Sequence, residues 1–388
     1  MNYFFILGSH PALSLTELEA KLPGRWQVVN DNLALVSQTA ELSADLLEYL
    51  GGTIKFGRVI GQLKQLNKEA AQVIAEQLLA VAAADKKICF GLSNYDRRPL
   101  SRDLGIKIKR SIQDAGRSAR WVISREAALS SVVVEQNHLL ASGGEIVLWR
   151  QDNCWQWGVT MAVQPFKSLS ARDYGRPARD DQSGMLPPKL SQIMLNLAGF
   201  EPGDSVLDPF CGSGTVLQEA ALMKAGRIIG LDNSGVAVAN SQINWQWLAN
   251  RWTVEVEPEI GLADARQASA ELVGQKIKCI VTEPYLGPQR GRRNFAVIAQ
   301  ELNQLYSQAL VDWQKIIAPG GRVVMIWPVF IDGQHQNLVR PNITGWRKVE
   351  YSRLARQVWP KQYTLDGNLL YGRPGQAVWR AIVGLERV

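Results

Sequence analysis

From Leu186 onward the chain alternates strand-length apolar runs with helix-length amphipathic ones, and no other feature restricts its fold as tightly. PPKLSQIMLNLAG reads as a helix opened by its prolines, SVLD as a buried strand, and GSGTVLQEAALMKAG as a helix. RIIGLD, GVAVANSQINWQWLAN and KIKCIVTEP continue the series, as do the long helix through AVIAQELNQLYSQALVDWQKII and the strand RVVMIWP. Strands separated by helices pair in parallel, because only a long crossover returns the chain to the same end of the sheet. The alternation therefore predicts an α/β, mostly parallel, doubly wound sheet over 186–388, with the tail NLLYGRPGQAVWRAIVGL folding back as a closing antiparallel hairpin.

Nothing before residue 166 repeats that pattern. A chain of 388 residues suits two or three domains, and two α+β units are expected ahead of the sheet, at 1–60 and 61–165, followed by a linker at 166–185. In the first, YFFILG reads as a strand, Ser14 as the cap of a helix whose Glu17 completes a capping box, WQVVNDNLALVSQ as strands and SADLLEYLGG as a helix. In the second, NKEAAQVIAEQLLAVAAA and LGIKIKRSIQDAG have helical periodicity. KKICFGLSNY, ARWVIS, SVVVEQNHLL, GEIVLWR and WQWGVTMAVQ read as strands there. FKSLSARDYGRPARDDQSGM has charges, glycine and proline without a period, hence the linker.

Charge narrows the list of partners. Between Arg97 and Arg125 stand nine basic residues, among them Arg97, Arg98, Arg102, Lys107, Lys109 and Arg110, against only Asp103 and Asp114. The surplus equals the net charge of the whole chain, +7, so the basic character is concentrated in one place. Such a concentration is the footprint of a polyanionic partner, and a solvated helix face is the plain alternative. No run of about 18 apolar residues exists to span a bilayer. The N-terminal apolar stretch lacks a preceding basic region, so no signal peptide and a cytoplasmic location are expected. Cys89, Cys154, Cys211 and Cys279 form no CxxC pair, and His10, His138 and His335 are far apart, so no metal site is expected.

The sharpest motif is Asp208-Pro209-Phe210-Cys211-Gly212-Ser213-Gly214-Thr215, directly after the strand Ser205-Val206-Leu207. Its glycines permit a tight turn with the backbone close to a ligand, and the helix that follows points free N–H groups at the same place. Leu217 stands where a dinucleotide fingerprint needs its third glycine. A carboxylate at the strand end repels a pyrophosphate and suits a cation, and S-adenosylmethionine has both a sulfonium and an ammonium. Asp232, followed by Asn233, ends the next strand where a carboxylate can accept the ribose hydroxyls. Asp264, followed by Ala265, comes after the third strand position and could accept from the adenine amino group.

With these residues in place, the stretch Tyr174–Glu283 resembles the class I methyltransferases that act on RNA guanosines. RDYGRPARDDQSGMLPPKL is similar to the segment before the fold proper in the tRNA guanosine-10 2-methyltransferase family. The resemblance implies a Rossmann-like methyltransferase domain binding S-adenosylmethionine, with Met185, Leu186 and Pro187 closing over its methionine end. YFFILGSHPALSLTELEA resembles that family's ferredoxin-like opening, and LGIKIKRSIQDAGRSARWV the core of a THUMP domain. That likeness implies an N-terminal half that grips the acceptor end of tRNA.

The methyl-acceptor motif departs from the family pattern. Amino-methyltransferases carry Asp/Asn-Pro-Pro-Tyr/Phe after the fourth strand; this chain has Glu283-Pro284-Tyr285-Leu286. The resemblance assigns Glu283 to accept from an exocyclic amine, beside Pro284, with Tyr285 stacking on the base from a shifted position. Arg290, Arg292 and Arg293 follow in a glycine-containing loop, where they read as a phosphate clamp beside a flipped-out nucleotide. The reading that results is methylation of the 2-amino group of a tRNA guanosine, position 10 first, with no membrane or metal and no protein partner specified. A ribosomal RNA or DNA amino-methyltransferase is a second reading. A tRNA-binding protein whose acceptor motif has left catalysis is a third.

Overall fold

A computed structural model describes residues 1–83, 86–179, 185–287, 294–332 and 335–388. They form two compact units. The first comprises Met1–Ser9, Gly24–Glu48 and Thr53–Phe166; the second comprises His10–Pro23, Tyr49–Gly52 and Lys167–Val388.

The first unit is one eight-stranded sheet of β1 (Asn2–Leu7), β2 (Trp26–Asn30), β3 (Leu33–Ser37), β4 (Thr53–Leu63), β5 (Ile88–Asn94), β6 (Ala119–Val122), β7 (Gly143–Gln151) and β8 (Cys154–Val163). Their spatial order is β2-β3-β1-β4-β8-β7-β5-β6. The boundary expected at residue 60 falls inside β4, which pairs antiparallel with β1 on one side and β8 on the other. Strand pairing is non-local, so composition along the chain gave no sign that one sheet runs through both expected units. The helix Arg102–Asp114 buries Leu104, Ile108 and Ile112 at a spacing of four and leaves Lys109 and Arg110 exposed.

SVVVEQNHLL, expected as a strand, is two short helices, Ser131–Gln136 and Leu139–Ser142. The Ser130 hydroxyl accepts from the Val133 N–H at 3.2 Å and caps the first, and Val134 alone of its valines is fully buried. A cap and one packed face outweigh β-branched propensity here.

The second unit holds a nine-stranded sheet of β9 (Ser205–Asp208), β10 (Arg227–Asp232), β11 (Glu259–Leu262), β12 (Ile277–Thr282), β13 (Ile317–Asp332), β14 (His335–Leu338), β15 (Trp346–Lys348), β16 (Leu369–Tyr371) and β17 (Val378–Arg387). The main path is β11-β10-β9-β12-β13-β17-β15. The first five are parallel, and β17 inserts antiparallel between β13 and β15. This is the α/β class with a closing antiparallel element that the alternation predicts. The order reverses between β9 and β12, and in such sheets ligands bind at that switch point, beyond the carboxyl ends of the strands. Ile280, Tyr306, Trp313, Val323 and Ile317 form part of the core behind it.

Two expectations near this unit are corrected. The stretch 166–185 is not simply a linker: Phe166–Tyr174 is an α-helix, and its Arg172 is buried against Glu219 at 2.6 Å. Residues 180–184 lie outside the described residues. The helix near the N-terminus starts at Pro11, not after Ser14. Ser14 sits inside it, bonded to the Gly52 carbonyl at 2.7 Å, and Glu17 is no capping-box partner. Glu17 is fully buried and accepts from the N–H groups of Gly51 (2.9 Å) and Gly52 (2.8 Å) and from Asn196 Nδ2 (2.7 Å). Glu17→Ala strands the two backbone donors at about 1–3 kcal/mol each. A loss of about 2–6 kcal/mol in unfolding free energy is therefore expected in denaturant titrations. Glu17 would prove a bystander if stability were unchanged.

Among the described residues no helix is long and apolar enough to cross a membrane.

Candidate cofactor and methyl-acceptor site

The carboxyl ends of β9, β10, β11 and β12 surround a cavity of about 440 Å³, inside the range of about 300–1,000 Å³ usual for small-molecule sites. It is lined by Asp208, Phe210, Gly212, Ser213 and Thr215 from the glycine turn, by Asp232 and Asn233, and by Asp264 and Ala265. Met185 and Leu186 border it before the first helix, and Glu283, Pro284 and Tyr285 after β12. Residues spread over a hundred positions of sequence thus share one cavity. Pro187, which caps the helix Pro188–Leu197, and Gly214 do not line it.

Both glycines of the turn have left-handed backbones, φ +52° at Gly212 and +83° at Gly214. Gly214 is the more demanding, because a Cβ there would come within 2.5 Å of Ser241 Oγ. Its role is structural, letting the helix Thr215–Leu222 start immediately behind the cavity.

Each acid has a distinct environment. Asp208 is 3% exposed, and its Oδ1 accepts from Thr282 Oγ1 at 2.6 Å and from the Phe210 N–H at 3.1 Å. Burial pushes its carboxyl up to about 7, with Asp232 and Glu283 adding to the rise against the two hydrogen bonds. Asp232 accepts from the Gly212 N–H at 3.0 Å and the Ser234 N–H at 2.9 Å, which ties the turn to β10. Asp264 caps the turn after β11 and is paired with Arg266, whose Nε lies 3.0 Å from each carboxylate oxygen. That hydrogen bond holds the Asp264 carboxyl below its usual range.

Glu283 is not a solitary strand-end acid. It forms a two-point ion pair with Arg380 of β17, Nε to Oε1 and Nη2 to Oε2, the latter at 3.3 Å, with the side chains only 12% and 16% exposed. Burial works against the charge of Arg380, but Glu283 raises its pKa overall. Next to it, the buried Tyr306 hydroxyl donates to the Tyr285 carbonyl at 2.6 Å. The Tyr285 ring itself is 56% exposed at the lip of the cavity, while Leu286 is buried.

Sequence reasoning missed Thr282, Arg266, Tyr306 and Arg380. Thr282 adjoins the acceptor motif and could have been weighed; nothing in the sequence pointed to Arg380, 97 residues from its partner.

The basic residues of the first unit divide. Arg97 and Arg98 line a groove of about 870 Å³ with Asn30, Tyr95, Glu126 and Arg150. Arg102, Lys107, Lys109 and Arg110 stand on the helix Arg102–Asp114 outside that lining. None of the six is in a salt bridge among the described residues, whereas Arg117 is spent on the carbonyls of Ala83 and Lys86. Arg290, Arg292 and Arg293 lie outside the described residues.

Residues 176–335 match the family model described as RMKL-like, methyltransferase domain, and residues 96–241 match one described as DNA methylase. The tRNA (guanine(10)-N2)-dimethyltransferase of Methanothermobacter thermautotrophicus is 31% identical over 153 residues, 38% of this chain and 40% of that protein. Its namesake from Methanocaldococcus jannaschii is 36% identical over 104 residues, 27% of this chain and 29% of that protein. The matched segments thus span less than half the length of these relatives. The crystal structure of TrmN from Thermus thermophilus aligns over 100% of both chains at 18% identity, with a TM-score of 0.49.

Proposed function

We propose, from the match of residues 176–335 to the RMKL-like methyltransferase-domain model, that this chain methylates the 2-amino group of a guanosine in tRNA. The observation that carries the reading is the single cavity that joins the three strand-end acids to Glu283-Pro284-Tyr285. S-adenosylmethionine fits the donor set: Asp208 opposes its positive charges, Asp232 accepts from the ribose and Asp264 from the adenine amino group. When bound, it supplies an electrophilic methyl group on a sulfonium. The chain's own part is placement. The longer glutamate reaches Arg380, which takes one lone pair from each oxygen and leaves others for an exocyclic N–H. Glu283, held in one orientation, accepts from the amine and aims its lone pair at the methyl group; the exposed Tyr285 ring stacks on the base. Holding the reactants in line supplies much of the catalysis in such a transfer. As the N–C bond forms the S–C bond breaks and its electron pair stays on sulfur, and the amine then loses its proton to water, so no strong base is required.

Position 10 and the addition of a second methyl are taken from the names of the two archaeal relatives. The first unit, read as a ferredoxin-like and THUMP region, binds the tRNA, and tRNA as substrate puts the enzyme in the cytoplasm. The match to a DNA methylase favours a second reading, an amino-methyltransferase acting on DNA. Labelled methyl transfer to bulk tRNA, ribosomal RNA and duplex DNA, followed by nucleoside mass spectrometry, separates them. N2-methylguanosine confined to tRNA is the expected product, and methylated adenine or cytosine in DNA would overturn the reading.

Reversing Lys107, Lys109 and Arg110 together to glutamate should weaken tRNA binding. The slope of log K against log salt should flatten by about 0.7–0.9 for every phosphate that is no longer neutralised, with cofactor affinity retained. An unchanged slope would make this face a solvated surface.

A further inference from the structure

Behind the cavity lies a buried charge. Arg176 is 2% exposed, and its Nη1 donates to the hydroxyl of Thr215, the first residue of the helix that opens the cavity floor. Its Nε and Nη2 are buried and have no hydrogen-bond partner among the described residues. The nearest carboxylate of consequence, Glu219, is committed elsewhere: Arg172 takes both oxygens, at 2.6 and 3.0 Å, and Gln192 donates to one at 3.0 Å. Burial lowers the pKa of Arg176, with Glu219 and Asp173 opposing that and Arg179 and Arg172 reinforcing it. A guanidinium taken out of water with two donors unpaired among the described residues is strongly unfavourable, and an anion would complete it.

We infer that Arg176 binds the carboxylate of the methionine end of S-adenosylmethionine. The inference rests on the cofactor reading above and deepens it. Thr215 lines the cavity and Arg176 does not, so a single hydroxyl separates the guanidinium from the ligand space. The same spot is a helix N-terminus, whose free N–H groups and positive dipole end add to the attraction for an anion. Guanidinium matches carboxylate in shape as well as charge, through paired N–H bonds. The methionine end is a zwitterion, and the two sides of the turn then read its two poles: Asp208 the ammonium, Arg176 the carboxylate. Met185 and Leu186 cover the aliphatic part between them.

The test compares S-adenosylmethionine with its decarboxylated analogue, which keeps the sulfonium and the amine, by calorimetry on the full chain. The parent should bind the analogue about 10–10²-fold more weakly, the usual range for a hydrogen bond to a charged group. Arg176→Gln should weaken S-adenosylmethionine by the same factor, leave the analogue's affinity as it was, and reduce the discrimination to within about twofold. Arg176→Lys, which keeps a buried cation should the glutamine variant fold poorly, should discriminate less than the parent. A parent that does not distinguish the two ligands, or either variant discriminating as well as the parent, overturns the assignment. Arg176→Gln that loses tRNA affinity while still discriminating overturns it in favour of an RNA phosphate. If the parent bound neither ligand, the cofactor reading itself would fall, and this inference with it.

Discussion

Glu283→Gln is expected to slow single-turnover methyl transfer by about 10²–10³-fold, the usual loss when one preorganised electrostatic partner is removed. Affinities for tRNA and cofactor should stay near those of the parent. The amide keeps the length and one acceptor oxygen but turns its NH₂ toward Arg380, so the ion pair that fixes the side chain is lost. Glu283→Asp should also be slow, because the shorter chain cannot meet both Arg380 and the amine. Arg380→Met should mimic these defects without touching substrate: it leaves a nearly buried carboxylate unpaired, which is costly and frees its orientation. Transcripts with inosine at the target position test the acceptor itself. Inosine lacks the 2-amino group, so methylation of that nucleotide would refute the assignment. Full activity in Glu283→Gln would refute the catalytic role and leave the pair as a clamp between β12 and β17.

Asp208→Ala is expected to lower S-adenosylmethionine affinity by at least about 10²-fold, since removing one partner of a buried charge pair costs about 3–5 kcal/mol. tRNA affinity should be unaffected. Gly214→Ala should approach the same loss through the shape of the turn. The pH dependence follows from the rise of Asp208 to about 7. A cationic ligand favours the ionised carboxylate, so affinity should fall as pH drops below 7 and level off above it, with a proton released on binding in the lower range. Calorimetry in buffers of different ionisation enthalpy reads that proton. Stability of the ligand-free protein should run the other way. A carboxyl raised from 3.8 to about 7 contributes stability below pH 4 that disappears as pH climbs through 7, and Glu17, raised from 4.5 to about 7, acts in the same direction. Asp208→Asn keeps an oxygen for Thr282 and Phe210 and has no charge to bury. It should therefore raise the melting temperature at pH 8 while losing the cofactor. A melting temperature equally pH-sensitive in parent and variant would rule out Asp208 as the titrating group.

What the sequence determined by itself is local in origin. Asp208, Asp232 and Asp264 were legible because each follows a short apolar strand and precedes a helix or turn, so strand periodicity alone puts them at one edge of a parallel sheet. The glycine turn was legible because a left-handed backbone selects glycine, and the amphipathic helix 102–114 because its buried residues recur at a helical period. The tertiary structure alone decided what depends on partners distant in sequence. It joined the strands on both sides of residue 60 into one sheet, because hydrogen-bonded neighbours such as β4 and β8 lie about a hundred residues apart. It turned Ser131–Gln136 into helix through a capping serine and one buried valine. It also supplied Arg380 to Glu283, because β17 enters antiparallel between β13 and β15 and sets its Arg380 opposite Pro328. A one-residue slip in that register would turn Arg380 to the other face and leave Glu283 without its counter-ion.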